Sequence, residues 1–287
     1  AERYGKDALA TIGKNGIYSG SDEWKSTYEE CLKMIENADS YEDTYPAIKK
    51  ALSVCGGKHS MFMTKSESQD TTESYDEVLP TVSLDGDIAI IKLPDFLVTA
   101  EDFLGTAEAG QKYAKVAEDF IHENRDKIKG VVLDLRGNIG GDMGPMATAV
   151  SSLLPDGELV YYHYRSYDIP VTLKNGVVSN AGTGGRSLYP EEKLNVPVAI
   201  LTDDMTASSG EALTLCFRGL ENTRTFGAPT AGYTSVNMLY NMYDGAQMYL
   251  TVAFDKARTG EIFKETPIEP DVATDSPLEA AIEWLRG

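Results

Sequence analysis

The chain has 287 residues, with 45 acidic side chains against 26 Lys and Arg and a formal net charge of −19, which excludes nucleic acid and anionic membrane surfaces as electrostatic partners. A hydrophobic content of 42% excludes bulk disorder, and the length suits one large α/β core plus a small helical subdomain. No apolar run approaches the length of a membrane span, so none is expected.

Helical spacing begins at Asp22–Ala38, where Trp24, Tyr28, Cys31, Leu32 and Ile35 recur on one face, and continues over Tyr41–Leu52 with Tyr41, Tyr45, Ile48 and Leu52. Residues 1–60 are therefore expected to form an N-terminal helical subdomain, ending in the loop Cys55-Gly56-Gly57-Lys58-His59-Ser60. Residues 61–86 read as a polar linker, with a polar loop or edge structure over Thr64–Glu77. From Asp87 the pattern alternates: strand Asp87–Leu93, helix about Ala107–Ile128, strand Gly130–Leu135, helix about Pro145–Leu154 and strand Glu158–Arg165. Strand Val196–Thr202 and helix about Ser209–Leu220 follow. This is the signature of a parallel or mixed sheet with crossover helices, an α/β core over 87–287. A hairpin is expected at Ser235–Met242 and Gln247–Phe254, turning at Asp244-Gly245. Arg258–Phe263 reads as a further strand, and Ser276-Pro277-Leu278-Glu279 as a capping box opening the last helix.

Two strand ends carry chemistry. One runs into Arg136-Gly137-Asn138-Ile139-Gly140-Gly141, whose glycines leave backbone N–H groups approachable. The other runs into Thr206-Ala207-Ser208-Ser209-Gly210-Glu211. Ligands collect outside the carboxyl ends of such strands. A serine at one end and amides at the other point to acyl transfer, with Ser208 as nucleophile. Ser208-x-x-Glu211 also fits a capping box, and taken alone that is the commoner role of such a tetrapeptide. A third element shifts the balance. Of the three histidines, His122 falls on the polar side of a helix and His163 in a strand, whereas His59 sits in a glycine-flanked loop, where it can serve as general base. Three cysteines, Cys31, Cys55 and Cys216, show no metal-ligand spacing, and Cys31 and Cys216 fall at core positions.

The series GGKHSMF, VVLDLRGNIGG, ILTDDMTASSGEAL, TFGAPTAG and PIEPDV resembles the S41 family of serine peptidases, the group of C-terminal processing peptidases and tricorn core proteases. The resemblance covers nearly the whole chain and implies a ClpP/crotonase-like core. It maps the nucleophile onto Ser208 and the oxyanion hole onto Ser209 with an N–H from the Gly140-Gly141 pair. The processing branch uses a lysine about twenty-five residues after the serine; the first lysine after Ser208 is Lys256, so a Ser-Lys dyad is not expected. The tricorn-like branch uses Ser, His and Glu with a G-x-H-[ST] loop, which Gly57-Lys58-His59-Ser60 matches. The orienting carboxylate falls on Glu265 or Glu269, with Glu265 preferred. The 26 residues between Ser60 and Asp87 leave no room for the PDZ domain common in the processing branch.

The expected function is peptide-bond hydrolysis on a peptide or protein substrate, with no metal and no organic cofactor, in an extracytoplasmic setting whose signal segment is absent from this chain. A non-proteolytic binder of peptides or apolar ligands on the same fold, or an esterase, remain the alternatives.

Overall fold

The computed structural model describes residues 1–73, 78–97 and 103–287. In chain order the elements are α1 (Glu2–Asn15), α2 (Asp22–Met34), α3 (Tyr45–Cys55), β1 (Met61–Met63), α4 (Lys65–Glu73), β2 (Thr81–Asp85), β3 (Ile88–Lys92) and α5 (Phe103–Asn124). Then come β4 (Gly130–Asp134), α6 (Met143–Ala149), β5 (Gly157–His163), β6 (Asp168–Lys174), β7 (Val177–Ser179) and β8 (Gly185–Arg186). The chain closes with β9 (Val198–Thr202), α7 (Ser209–Phe217), β10 (Thr223–Gly227), β11 (Ser235–Asn241), β12 (Gln247–Ala257), β13 (Ile262–Phe263), β14 (Val272–Ala273) and α8 (Pro277–Arg286). The architecture is mixed α/β.

The residues group into two compact units. The first comprises Ala1–Tyr75, His163–Tyr167 and Ser235–Phe254; the second comprises Asp76–Tyr162, Asp168–Thr234 and Asp255–Gly287.

The second unit is built on a six-stranded sheet in the order β14-β10-β9-β4-β3-β2, parallel throughout except for the antiparallel edge pair β2–β3. Strands β4 and β9 are buried along their whole length, as a parallel sheet covered on both faces requires. The two-residue period assigns each side chain to a layer. Ala89, Ile91, Val131, Leu133 and Ile200 pack with Tyr113, Ala117, Met146, Leu213 and Phe217 from α5, α6 and α7. Ile88, Val132, Ala199, Leu201 and Phe226 turn the other way, against Leu278, Ala281, Trp284 and Leu285 of α8. Every strand of this sheet that feeds a helix delivers its carboxyl end to the same edge, where the 134–141 and 202–208 turns begin.

The first unit is the helical subdomain plus a hairpin. Tyr4, Ala8, Leu9 and Ile12 of α1 are buried, as are Cys31, Ile35, Ile48, Leu52 and Cys55. A Cβ on Gly5 would meet Ile35 and Thr44, so the first helix packs close. Strand β12 pairs antiparallel with β11 on one side and with β1 on the other. The hairpin turn is tied to the helices through Asp244, whose carboxylate accepts from the Tyr4 hydroxyl at 3.1 Å and the Tyr45 hydroxyl at 2.5 Å.

Several local expectations change. Residues 2–15, within the expected helical subdomain, form a further amphipathic helix, α1. Residues 65–73, read as polar loop, form α4, with Thr64 N–H bonded to Glu67 Oε2 at 2.7 Å; residues 74–77 lie outside the described residues. Arg258–Phe263 is a tight hairpin rather than one strand, because Gly260 at φ +96 lets Ala257 N–H reach Glu261 O at 2.9 Å. Ser276 makes no side-chain cap bond; its own N–H donates to Thr274 Oγ1 at 3.1 Å, and Pro277 supplies the helical φ at the start of α8. The three cysteines are free and buried, as packing residues should be.

Candidate active site

The two strand-end turns of the second unit are sewn together by polar groups that nothing in their spacing foretold. Thr206 Oγ1 donates to Leu135 O at 2.9 Å, and Ala207 N–H donates to Asn138 O at 2.9 Å. Asp203 Oδ1 accepts from Gly137 N–H and from Thr206 N–H, both at 3.0 Å. These bonds hold the chain in a sharp strand-to-helix turn with Ser208 at its corner. Ser208 has φ +52 and ψ −116, a left-sided conformation that costs a side-chain-bearing residue roughly 1–3 kcal/mol. Strain of this kind persists only where the surroundings enforce it. Here it leaves Ser208 half-buried at the head of α7, as in other strained serine turns between strand and helix.

The glycine strand end fits beneath it. A Cβ on Gly140, at φ +109, would lie 2.7 Å from Ser208 Cβ and 3.1 Å from Ser209 N. On Gly141, at φ +100, a Cβ would strike Phe96 O at 2.0 Å. Only glycine satisfies both positions. The two amides differ in their commitments. Gly140 N–H donates to Asn138 Oδ1 at 2.9 Å, and buried Asn138 uses its Nδ2 on Leu93 O and Pro94 O, both at 3.0 Å. Gly141 is clamped through its carbonyl, which accepts from Ser209 Oγ at 2.5 Å. Among the described residues the N–H groups of Gly141 and Ser209 make no hydrogen bond.

Glu211 supports the turn from inside. It is fully buried, and its carboxylate accepts from Ser208 N–H at 2.9 Å, Gly232 N–H at 2.8 Å, Tyr233 N–H at 2.7 Å and the Thr230 hydroxyl. Burial pushes its pKa up, against the opposing pull of those four donors. Asp255 is likewise buried; burial first, and the neighbouring Glu211 charge second, raise it well above the ordinary carboxyl range.

His59 lies in the first unit, fastened to the β11–β12 hairpin. Its Nδ1 is 3.0 Å from Ser235 Oγ, and its carbonyl accepts from Asn237 Nδ2 at 2.9 Å. The loop is fixed by Ser60 Oγ, which accepts from Thr251 N–H at 2.8 Å, and by close packing of Gly56 over Ser60. Burial lowers the His59 pKa from 6.5 to about 4, so the imidazole is neutral near pH 7. His122 is half-buried, stacked on Tyr189 at 4.0 Å with its Nδ1 2.9 Å from Glu192 Oε2, which gives it a structural role.

The two candidate carboxylates belong to the second unit and differ in setting. Glu265 is half-buried and holds φ +55. Glu269 is exposed. The stretch between them is braced: Thr266 N–H and O both bond Thr234 Oγ1, at 3.2 and 3.0 Å, and Ile268 N–H reaches Thr230 Oγ1 at 2.8 Å.

Residues 87–274 match the family model described as Peptidase family S41. The chain belongs to this family. The nisin-resistance protein of Lactococcus lactis subsp. lactis is 36% identical over 286 residues, covering 99% of this chain and 87% of that protein. A solved lipoprotein from Streptococcus agalactiae superposes with a TM-score of 0.85 at 30% identity, covering 99% of this chain and 96% of the other. The photosystem II D1 C-terminal processing protease shares the fold, with a TM-score of 0.65 at 16% identity, 100% of this chain and 97% of the other.

In this S41 chain, residue type and spacing single out Ser208, the glycine pair and His59 as candidates but not the residues that hold them. Asn138, Asp203 and Thr230 gave no signal, since single polar residues beside turns are ordinary. Glu211 was visible only as a capping partner, although its carboxylate also gathers the 230–233 segment.

Proposed function

We propose that the chain is a serine peptidase in which Ser208 is the nucleophile, His59 the general base and Glu265 the carboxylate that orients it. The observation that carries this reading is the strained conformation of Ser208, enforced at a strand-to-helix corner directly over Gly140. Ser208 Oγ attacks the peptide carbonyl while His59 accepts its proton, giving a tetrahedral oxyanion. The N–H groups of Gly141 and Ser209, uncommitted among the described residues, are the donors suited to that oxyanion. Gly140, with its N–H on Asn138, provides close packing instead. His59 then protonates the leaving amine as the C–N bond breaks, and water hydrolyses the ester by the same proton path in reverse. The neutral state of His59 near pH 7 suits a base. The half-buried, positive-φ setting of Glu265 favours it over exposed Glu269 for the orienting role.

The substrate class is a peptide, and the relative named for nisin resistance makes nisin the first peptide to test. The lipoprotein among the similar structures supports action at the cell surface or outside the membrane. A fluorophosphonate probe should add one adduct, mapped to Ser208, and the intact protein should cleave nisin or members of a peptide library. Full labelling of Ser208→Ala would overturn the assignment. Labelling and peptide binding without any cleavage would favour a non-proteolytic binder.

A further inference from the structure

Strand β11 is an edge strand: its only strand partner among the described residues is β12. Its sequence, Ser235-Val236-Asn237-Met238-Leu239-Tyr240-Asn241, contains no charge and no proline in a chain that is 25% charged. Exposed edges normally carry such residues to block adventitious pairing. Here Met238 and Leu239 are instead 46% and 39% exposed, on opposite faces of the strand.

The hairpin register shows which backbone groups point outward. Met242 N–H bonds to Ala246 O at 2.9 Å, which sets the antiparallel alternation. Tyr240 and Met238 then face Met248 and Leu250 as bonded pairs, while Asn241, Leu239 and Asn237 face Gln247, Tyr249 and Thr251 as non-bonded pairs. Thr251 agrees: its N–H goes to Ser60 Oγ at 2.8 Å and its carbonyl accepts Ile17 N–H at 3.0 Å, both away from β11. The N–H and C=O groups of Asn237, Leu239 and Asn241 are therefore directed off the edge, and among the described residues they make no hydrogen bond.

The same strand holds His59. Ser235 Oγ meets its Nδ1 at 3.0 Å, and Asn237 Nδ2 bonds its carbonyl at 2.9 Å. A peptide paired along this edge thus has its backbone led to the histidine. We infer that β11 is the substrate-docking edge, taking an extended peptide as an added strand through the backbone groups of Asn237, Leu239 and Asn241. This inference rests on the peptidase reading. Main-chain pairing gives affinity with little sequence demand, while Met238 and Leu239 offer apolar contact to alternate peptide side chains.

The test uses the best-cleaved peptide from the library and its singly N-methylated versions on the native protein. N-methylation should raise KM at least fivefold at every second residue of the docked stretch and leave the intervening ones within twofold, since each lost hydrogen bond is worth about that factor. Leu239→Pro removes an outward N–H without breaking a bond to β12, and should raise KM at least fivefold, more than it lowers kcat. Cleavage that is insensitive to N-methylation, or a Leu239→Pro variant that folds and keeps its KM, overturns the inference while leaving the peptidase reading intact. No cleavage together with no adduct on Ser208 overturns both.

Discussion

Ser208 and His59 are held by different means. Around Ser208 the second unit uses backbone strain and a buried ionisable group: four donors converge on the Glu211 carboxylate, one of them Ser208's own N–H. Around His59 the first unit supplies two uncharged groups, the Ser235 hydroxyl at the ring and the Asn237 amide at the carbonyl. The difference has a chemical consequence. In the proposed mechanism the nucleophile must be fixed in space, and the buried Glu211 carboxylate does this strongly because four donors depend on it. The proposed base must stay unprotonated until it acts, and burial depresses the His59 pKa.

The sharpest way to break this comparison is to remove His59, the proposed base. His59→Ala should cut kcat by up to about a millionfold, as loss of one member of a catalytic unit does elsewhere, while melting close to the native protein. Retained cleavage of a peptide library would show that the anchoring of His59 to Ser235 and Asn237 serves structure alone.

The carboxylates come next. Glu265→Gln should lower kcat by about 10³–10⁴-fold with folding intact, as comparable changes to an orienting carboxylate do. Glu269→Gln, at an exposed position, should leave kcat within twofold. Reversal of the two outcomes, read from steady-state kinetics, would move the orienting role to Glu269.

Glu211→Gln tests the support of the serine. One carboxylate oxygen becomes an NH2 facing N–H donors in a fully buried site, so urea unfolding should show a loss of roughly 2–4 kcal/mol. The matching change at His59's support, Ser235→Ala, leaves no charge unpaired and should cost about 1 kcal/mol. Equal costs for the two would dissolve the contrast between carboxylate and hydroxyl support.

The smallest effect is on pH. With the His59 pKa lowered from 6.5 to about 4, the acid limb of kcat/KM should have its midpoint near pH 4 rather than in the ordinary histidine range. Stability follows the same sign. Between the folded and unfolded values the unfolded chain binds more protons, so this group makes the fold lose stability as pH falls from about 6.5 towards about 4. His59→Gln should flatten that part of the stability profile. A kcat/KM limb centred at 6.5 would mean that the working histidine is not held in this buried setting.

Much of the fold was legible because burial leaves a local trace. Gly130–Leu135 and Val196–Thr202 are apolar throughout since both faces of a parallel sheet are covered, and their turns announce themselves with glycine and small residues. The amphipathic α1 was equally legible in principle, with Tyr4, Ala8, Leu9 and Ile12 on one face, and was missed. Other outcomes had no such trace. That the 235–254 hairpin belongs with the N-terminal helices follows from Ser60, Asn237 and Thr251, which bond across about 180 residues of sequence.

The sequence by itself determined the family, the sheet core, and the candidates Ser208, His59 and the Gly140-Gly141 pair, because those properties reside in residue type and spacing. Only the tertiary structure decided the positive φ of Ser208, the commitment of Gly140 N–H to Asn138, the four donors on Glu211 and the depressed pKa of His59. The reason is physical: strain, hydrogen-bond partnership and desolvation are properties of what surrounds an atom, and those surroundings come from segments far apart in the chain.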